Sequence, residues 1–393
     1  MNVPRATPLS ITAYAVACGL GCTTANVRRA LLDGRSGLSA CPLDVPFSTV
    51  CGAVTEPLPA LPSKLARWES RTARLAAVGL TEVEPAIAKA LRRYGAERVG
   101  LFLGTSTGGI AETESMYSSY RETGMVRDTY DYRKQHEFFA FTDVVRELSG
   151  IRGPRSVVST ACSSGAKVFA SARRLIDAGV IDAALVGGVD SLCHTTVRGF
   201  HSLGVMDANP CRPFSLDRAG MNVGEGVAYL LLEKTADARV SFLGIGETSD
   251  AHDMASPAPD GRGARDAMAH ALLEGGVAPA DVDYVNAHGT ATKRNDSAES
   301  AAIHALLGGS VPVSSTKAYT GHTLAAAGAI EAVFSVMAIE EGVVPSNRTT
   351  TAIDPDVRIH VASARVDKKI RYVLSNSLAF GGSNVSLLFG AVP

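Results

Sequence analysis

Short apolar runs alternate with longer helical stretches along most of the chain. Seven strand-like runs, continuous and often β-branched, span residues 98–104, 156–160, 183–189, 227–232, 282–287, 311–314 and 372–376. Runs of this kind are typical of strands covered on both faces by helices. Two Ala-rich stretches, 166–178 and 324–340, are apolar almost all round and are predicted to be helices buried between layers. The pattern predicts an α/β fold.

A further apolar run at residues 11–22 has two interpretations. Its Ala15-Val16-Ala17-Cys18 segment faintly resembles the cleavage site of a lipoprotein signal peptide. Thr12 and Tyr14 interrupt the run, however, and it is far shorter than the ~20 apolar residues that a membrane span needs. We therefore expect a buried first strand and no membrane attachment.

The composition indicates one large, densely packed body with reduced thiols. Hydrophobic residues make up 46% of the 393 residues and aromatic ones only 6%, so the core is predicted to consist mainly of Ala, Val, Leu and Ile. A formal net charge of -1 gives no overall attraction for nucleic acid. Seven cysteines without a CxxC pair indicate a cytoplasmic protein.

The first candidate for chemistry is Cys162, which lies where the strand-like run at 156–160 passes through small residues into a helix. A thiol at a helix N-terminus feels the positive end of the helix dipole, which favours the reactive thiolate. The alternative is an inert core cysteine, since free cysteines are among the most buried residues. Cys162 alone does not decide between the two.

Two histidines follow other strand ends, each beside a glycine: His288 in Ala287-His288-Gly289 and His322 in Gly321-His322-Thr323. Either one alone is more often a hydrogen-bonded structural residue. A fourth strand end carries the turn Phe380-Gly381-Gly382, whose backbone N–H groups are suited to binding an oxyanion. Together, the four strand ends indicate thiol-based acyl transfer. No metal site is predicted, because His136-Glu137 lacks the second histidine of an HExxH motif.

These motifs occur in an order that resembles a known family. The matching segments are 19–21, 31–37, 104–109, Thr160-Ala161-Cys162, Cys211-Arg212-Pro213-Phe214, His288-Gly289-Thr290-Ala291-Thr292, Lys317 with Gly321-His322, and Phe380-Gly381-Gly382. The chain resembles the β-ketoacyl-[acyl carrier protein] synthases of the thiolase-fold condensing enzymes, specifically the elongating Cys-His-His branch. The resemblance covers essentially the whole chain.

The resemblance implies a duplicated thiolase-like fold in five α-β-α-β-α layers. Residues 1–237 would form the half with the nucleophile, and residues 238–393 the half with both histidines. It implies decarboxylative condensation of an acyl primer with a malonyl thioester, both carried on the phosphopantetheine of an acyl carrier protein, with no other cofactor. The partners implied are that carrier protein and a second subunit, either an identical chain or a Cys-less ketosynthase homologue.

The resemblance also implies roles for individual residues. Cys162 would be the nucleophile, His288 and His322 would hold the enolate oxygen, and Lys317 and Glu331 would orient them and balance charge. The backbone N–H groups of Cys162 and Phe380 would form the oxyanion hole. Substrate contacts are expected at Thr290, Thr292, Phe200, Phe380 and Thr107. Asp296 and Glu299 are expected to act as capping or ion-pair residues.

A basic surface is predicted from spacing alone. Lys64, Arg67, Arg71 and Arg74 recur at steps of three and four residues, so on one helix they would form a single stripe. The stripe is either a docking surface for an acidic carrier protein or an ordinary solvated face.

Three related activities are disfavoured. A thiolase uses a second cysteine near the C-terminus, whereas the last cysteine here is Cys211; an initiating synthase carries Asn in place of His322. A silent chain-length-determining subunit would lack the nucleophile. The Arg218-Ala219-Gly220-Met221-Asn222 segment and Asp190-Ser191-Leu192-Cys193 are similar to ketosynthases of aryl-polyene or highly reducing type II polyketide clusters, and a housekeeping fatty-acid elongator is the alternative.

Overall fold

The computed structural model describes residues 6–235 and 237–392. Its strands are β1 (Leu9–Cys18), β2 (Ser39–Ala40), β3 (Val50–Cys51), β4 (Val99–Gly104), β5 (Arg155–Val158), β6 (Ala183–Asp190), β7 (Gly226–Glu233), β8 (Val240–Ser249), β9 (Tyr284–Asn286), β10 (Pro312–Ser314), β11 (Val343–Val344), β12 (His360–Val361), β13 (Val366–Asp367), β14 (Tyr372–Ala379) and β15 (Ser383–Ala391). Each of the seven predicted strand runs overlaps one of these strands.

The helices of the described residues differ widely in length. They are α1 (Thr24–Leu32), α2 (Arg71–Tyr94), α3 (Ile110–Thr123), α4 (Tyr132–Gln135), α5 (Ala140–Ser149), α6 (Ser164–Asp177), α7 (His194–Ser202), α8 (Arg262–Gly275), α9 (Lys293–Leu307), α10 (Lys317–Thr320) and α11 (Ala326–Glu341), with 3-10 turns at Ser63–Trp68, Ala96–Arg98 and Pro279–Asp281. None of them is long and apolar enough to cross a membrane.

The main sheet is duplicated. Its 11 strands run in the order β12-β10-β9-β14-β15-β8-β1-β7-β6-β4-β5. From β1 outward to β7, β6, β4 and β5, two antiparallel pairings are followed by two parallel ones, and the same sequence of pairings runs from β8 through β15, β14, β9 and β10. A short pairing of Leu9 and Ser10 with Phe242 and Ser241 joins the two halves.

Helices cover both halves of this sheet. Helices α2 and α5 pack on the first half, α8 and α9 lie on the outer side of the second, and α6 and α11 pack against each other and against both halves. Because α11 is enclosed by strands on both sides, its residues 326–339 are all buried. This is the five-layered thiolase-type α/β fold that the resemblance implies.

The two halves meet between β7 and β8. The predicted division at residue 237 falls within this connection, next to residue 236, which lies outside the described residues, as do residues 1–5 and 393 at the ends of the predicted halves. The division into two domains stays a prediction. The apolar run at 11–22 lies mostly in β1, which pairs with β7 from Ser10 to Cys18 and is buried at both ends, so a buried first strand is the correct interpretation.

Candidate active site

Three loops bring the candidate residues together, and two of them occupy corresponding positions of the duplicated fold. Cys162 lies between β5 and α6, and His322 lies in the equivalent connection of the other half, between β10 and α11. His288 follows β9. The residue before the cysteine, Ala161, has a φ of 50°, so the chain makes a tight elbow through the left-handed region, which non-glycine residues rarely adopt. Duplication therefore places the thiol and His322 opposite each other.

The predicted convergence of the three side chains is present in the structure. Ligand-type atoms of Cys162, His288 and His322 all lie within 4.8 Å of one another, and all three residues are buried. The two imidazole rings are 5.2 Å apart between centroids and nearly perpendicular, at 84°. Ring edges and sulfur thus face one shared space.

The thiol of Cys162 is more deeply buried than the sequence suggested. Burial raises its pKa to about 11, although Lys317 and the backbone N–H groups of Phe380 and of Cys162 itself all act to lower it. Desolvation therefore outweighs the groups that favour the thiolate, and the pKa of Cys162 lies above its usual range. The two N–H groups that approach the sulfur are the pair expected to form the oxyanion hole.

His288 is held from both its ring and its backbone. Lys317 Nζ lies 3.3 Å from its Nδ1 and 2.6 Å from Glu331 Oε1. Since the lysine donates to Nδ1, the ring proton is assigned to Nε2. Glu299 accepts hydrogen bonds from the backbone N–H groups of His288 and Gly289, both at 2.8 Å, so it positions the histidine loop.

His322 has a different environment. Its backbone is fixed on both sides, since its N–H donates to the Asn222 carbonyl at 2.7 Å and its carbonyl accepts from Gly224 N–H at 2.9 Å. Its ring nitrogens have no hydrogen-bond partner among the described residues. Burial, and then the charge of Lys317, hold the pKa of His322 well below its usual range, and the same two causes act first on the pKa of His288. Both rings are therefore neutral.

The Lys317–Glu331 pair is almost completely enclosed. Burial raises the pKa of Glu331 to about 7, while the charge of Lys317 and its hydrogen bond act in the opposite direction. Among the described residues, the Glu331 carboxylate makes no hydrogen bond to the Cys162 sulfur or to either imidazole ring. It accepts a hydrogen bond from Lys317, which in turn contacts His288.

A cavity of about 600 Å³ reaches the three side chains from the surface. Thr290 and Thr292 line it, with their hydroxyls 2.9 Å apart, and Phe200 and Phe380 line it with ring centroids 6.0 Å apart. Ala255 is also in the wall. Lining residues that sequence reasoning did not identify as contacts include Leu203, Val205, Arg218, Met221, Lys293, Arg294 and Asn384. They come from several loops, from the first turn of α9 and from the start of β15, with no shared motif, so only the fold brings them together.

Thr107 is not among the residues that line this cavity. Its hydroxyl donates to Asp190 Oδ1 at 2.8 Å, and the same carboxylate accepts from Thr105 Oγ1 at 2.7 Å and from Ala325 N–H at 2.7 Å. Asp190 was not identified as a site residue from the sequence. A carboxylate at the end of a buried strand was the available signal. Here it joins the Thr107 loop to the start of α11, three residues after His322.

The predicted basic stripe does not lie on one helix. Lys64 and Arg67 belong to the 3-10 turn Ser63–Trp68, and α2 begins only at Arg71. Arg71 Nε donates to the fully buried Glu225 at 2.8 Å, and Arg74 pairs with Glu69. The four residues therefore do not form a stripe on one helix, and each of the three guanidinium groups, including Arg67 on Asp131, pairs with a carboxylate of the chain itself.

The donor set of Cys162, His288 and His322 would suit zinc by ligand type. Lys317, however, lies 3.3 Å from a nitrogen of His288, and a second cation in this enclosed space would be repelled by it. The arrangement fits a nucleophile with two neutral N–H donors better than a metal centre.

Comparison with known proteins agrees with this geometry. The family models "Beta-ketoacyl synthase, N-terminal domain" and "Beta-ketoacyl synthase, C-terminal domain" match residues 6–238 and 240–351. Nodulation protein E of Rhizobium sp. (strain N33) is 34% identical over 97% of this chain and 98% of its own length. The 3-oxoacyl-[acyl-carrier-protein] synthase 2 of Staphylococcus aureus (strain COL) is 33% identical over 75% of each chain.

Solved structures are similar over almost the whole length. The ketosynthase ApeO, in complex with its chain length factor ApeC from Xenorhabdus doucetiae, has a TM-score of 0.93 and 35% identity, covering 98% of each chain. The ishigamide ketosynthase/chain length factor has a TM-score of 0.90 and 26% identity, covering 99% of this chain and 100% of its own. With its Cys-His-His cavity and its match to both family models, the chain belongs to the β-ketoacyl synthase family of thiolase-fold acyltransferases.

Proposed function

We propose that this chain carries an acyl primer on Cys162 and extends it by decarboxylative condensation with a malonyl thioester. The supporting observation is the placement of the thiol and two neutral imidazoles within 4.8 Å of one another at a single cavity. A silent chain-length-determining subunit is not favoured, because all three groups are present.

Acyl transfer is the first step of the proposed reaction. As the Cys162 sulfur attacks the thioester carbon, its proton passes to a free ring nitrogen of His322. The N–H groups of Cys162 and Phe380, which face the sulfur, stabilise the negative oxygen of the tetrahedral intermediate. The C–S bond to the carrier breaks, and the departing thiolate takes the proton back from His322.

Condensation is the second step. The malonyl C–C bond to the carboxylate breaks, carbon dioxide leaves, and its bonding electrons form an enolate whose oxygen accepts from the N–H groups of His288 and His322. These hydrogen bonds strengthen as charge develops, so they lower the barrier rather than merely bind substrate. The enolate carbon then attacks the acyl carbon on Cys162, the C–S bond breaks, and the departing Cys162 thiolate takes one proton from solvent, which is the proton that the condensation consumes overall. Lys317, which contacts His288 Nδ1, keeps the Nε2 proton available.

The proposed substrates are thioesters on the phosphopantetheine of an acyl carrier protein, with no metal or redox cofactor. The volume of the cavity, about 600 Å³, is typical of a small-molecule binding site, and the hydroxyls of Thr290 and Thr292 in its wall are the proposed partners for the amides of the arm. Lys64 and Arg67 remain the proposed docking residues for an acidic carrier protein.

We further propose a heterodimer with a Cys-less ketosynthase homologue, in polyene-type polyketide synthesis. Two similar solved proteins are described together with a chain length factor. In this chain, α3 has no buried residue and exposes Tyr117 and Tyr120, and Met125 follows it at 70% exposure. Native mass spectrometry with a co-expressed homologue tests the pairing. A chain that stays a homodimer beside the homologue would contradict it.

The experiment that tests the function is intact-mass analysis after incubation with a panel of acyl carrier proteins. We expect one acyl adduct on the wild-type chain and none on Cys162→Ala. Cys41→Ala is the matched control, because Cys41 is a partly exposed thiol outside the cavity, and it should acquire the adduct normally. An adduct on Cys162→Ala would disprove the assignment of the nucleophile.

A further inference from the structure

The two N–H donors that face the Cys162 sulfur come from separate parts of the chain. One belongs to Cys162 in the connection before α6, and the other to Phe380 in the turn between β14 and β15. An oxyanion hole works only if both donors keep a fixed distance from the position of the negative oxygen. We therefore expect contacts that fix the Phe380 turn relative to the loop that carries Cys162.

The turn that carries the second donor is locally adaptable. Phe380 is 39% exposed, and Gly381 and Gly382, which follow it, have φ angles of 82° and 75°. Backbone hydrogen bonds tie these glycines to another loop: Gly381 N–H donates to the Met254 carbonyl, and Asp250 N–H donates to the Gly382 carbonyl. Those bonds fix the turn to residues 250–254, which do not carry the nucleophile.

A pair of serines joins the turn directly to the nucleophile loop. Ser163 follows Cys162, Ser383 begins β15, and their hydroxyl oxygens are 3.1 Å apart although the residues are 220 positions apart in the chain. Ser163 is fully buried, and its hydroxyl, the donor to Ser383 Oγ, also lies 2.9 Å from the Thr160 carbonyl oxygen, the second acceptor for the same proton. Lys167, one helical turn further along α6, donates to Ser383 Oγ at 3.4 Å.

We propose that Ser163 and Ser383 are positioning residues that hold the Phe380 N–H in register with the N–H of Cys162. The inference rests on the proposed function, because the two donors matter only if Cys162 accepts an acyl group. The serine pair joins residues adjacent to or three positions from the donors, so loss of either hydroxyl allows the glycine turn to shift relative to the elbow. Lys167 orients the Ser383 oxygen from the same helix.

Comparing two reactions of the Cys162 thiol distinguishes a role in positioning the oxyanion donors from a general effect on the structure of the site. Acyl transfer from an acyl-pantetheine thioester passes through an oxyanion, whereas alkylation by iodoacetamide displaces iodide and forms no oxyanion. Acylation is measured by intact mass and alkylation by mass analysis of the Cys162 peptide, because Cys22 and Cys41 are also partly exposed thiols. Both rates are taken at one pH for Ser163→Ala, Ser383→Ala, the double variant and Ser383→Thr. Ser202→Ala, an exposed serine on α7, is the matched control.

Each alanine variant should slow acylation about tenfold, a fraction of the loss seen when an oxyanion donor is removed outright, and should leave alkylation unchanged. The double variant should be no slower than either single one, because the two hydroxyls act as a unit. Ser383→Thr, which keeps the hydroxyl, should acylate like the wild type.

Unchanged acylation in both alanine variants would overturn the inference, and so would equal slowing of acylation and alkylation, since that indicates a displaced thiol. If the wild-type chain itself is alkylated but never acylated by any carrier or pantetheine thioester, the proposed function fails instead.

Discussion

Burial dominates the chemistry of the individual active-site residues. His288 and His322 are 2% and 1% exposed, and desolvation is the first cause that lowers the pKa of each. A neutral imidazole offers one N–H donor without adding charge, which suits an enolate that forms and disappears within one catalytic cycle. The same burial keeps the Cys162 thiol protonated, so a nearby proton acceptor is needed at the moment of attack.

Replacing His288 with alanine should separate the two half-reactions. We expect condensation to fall by about 10²–10³, because one donor to the enolate oxygen is lost, while acylation of Cys162 persists. Product formation and adduct mass are measured in parallel. His360→Ala, at an exposed histidine in β12, is the control. Equal loss of acylation would assign His288 to the first step.

Treatment with a strong chelator should leave condensation unchanged. The Cys-His-His set has zinc-type donors, but Lys317 already supplies positive charge beside His288. Activity after chelation and gel filtration, together with metal analysis of the purified chain, checks the expectation. Inactivation that added zinc reverses would contradict it.

At the scale of elements, the break between the 3-10 turn Ser63–Trp68 and α2 divides the basic residues into two groups. Arg67 is 70% exposed at its side chain and reaches Asp131 across 3.0 Å, whereas Arg71 turns inward to Glu225. Glu225 also accepts from the backbone N–H groups of Val54 and Leu192, so this carboxylate joins three segments around the nucleophile half. Arg67 thus keeps most of its side chain at the surface although it pairs with Asp131, whereas Arg71 has a structural role.

Charge reversal at Arg67 should therefore impair carrier-protein substrates selectively. We expect Arg67→Glu to slow acylation by a carrier-borne primer by about tenfold at low salt, since long-range attraction raises association rates, and to leave pantetheine thioesters unaffected. Arg92→Glu, at an exposed position on α2, makes the same change of charge elsewhere. Similar slowing by both variants would indicate a net-charge effect rather than docking.

Arg71→Met should instead lower stability. It leaves the Glu225 carboxylate buried with its charged partner removed, and we expect a loss of about 1–3 kcal/mol in the free energy of unfolding, measured by urea denaturation. Arg67→Met removes an exposed partner and should change the midpoint little. If the two variants had the same free energy of unfolding, the Arg71–Glu225 pair would make no contribution to stability.

At the scale of the whole molecule, folding brings groups from both halves into one dehydrated space between the layers. The unfolded chain restores ordinary pKa values to these groups, so global stability depends on pH through the site. The two histidines and Glu331 act with opposite sign. The two histidines stay neutral in the folded chain, so the free energy of unfolding falls in acid, where the unfolded chain protonates them. Glu331 has a raised pKa in the folded chain, so its protonation increases the free energy of unfolding as the pH falls through about 7.

The histidine contribution can be isolated by comparing the wild type with His322→Gln. Below about pH 6.5, His322 binds a proton in the unfolded wild-type chain but not in the folded one. As the pH falls, the free energy of unfolding of the wild type should therefore decrease more steeply than that of His322→Gln, by up to about 1.4 kcal/mol per pH unit. Urea unfolding at several pH values between about 7.5 and 5.5 measures both slopes. Parallel slopes would mean that His322 is protonated in the folded chain.

The sequence by itself determined the seven main strand runs, the first strand, the two buried helices and the reactive residues. Strand runs, helices and the residues at their ends were readable because hydrophobic periodicity and small-residue turns are local properties of the chain. Cys162, His288 and His322 were identified from such strand ends in family order, and the structure brings them together.

Only the tertiary structure decided how each of these residues is surrounded. The burial that protonates the thiol, the inward turn of Arg71 to Glu225, the position of Thr107 on Asp190 and the contact of Ser163 with Ser383 all join residues far apart in the chain. Desolvation and hydrogen bonding depend on those distant neighbours, and no local pattern of residues encodes which ones fold against a given side chain.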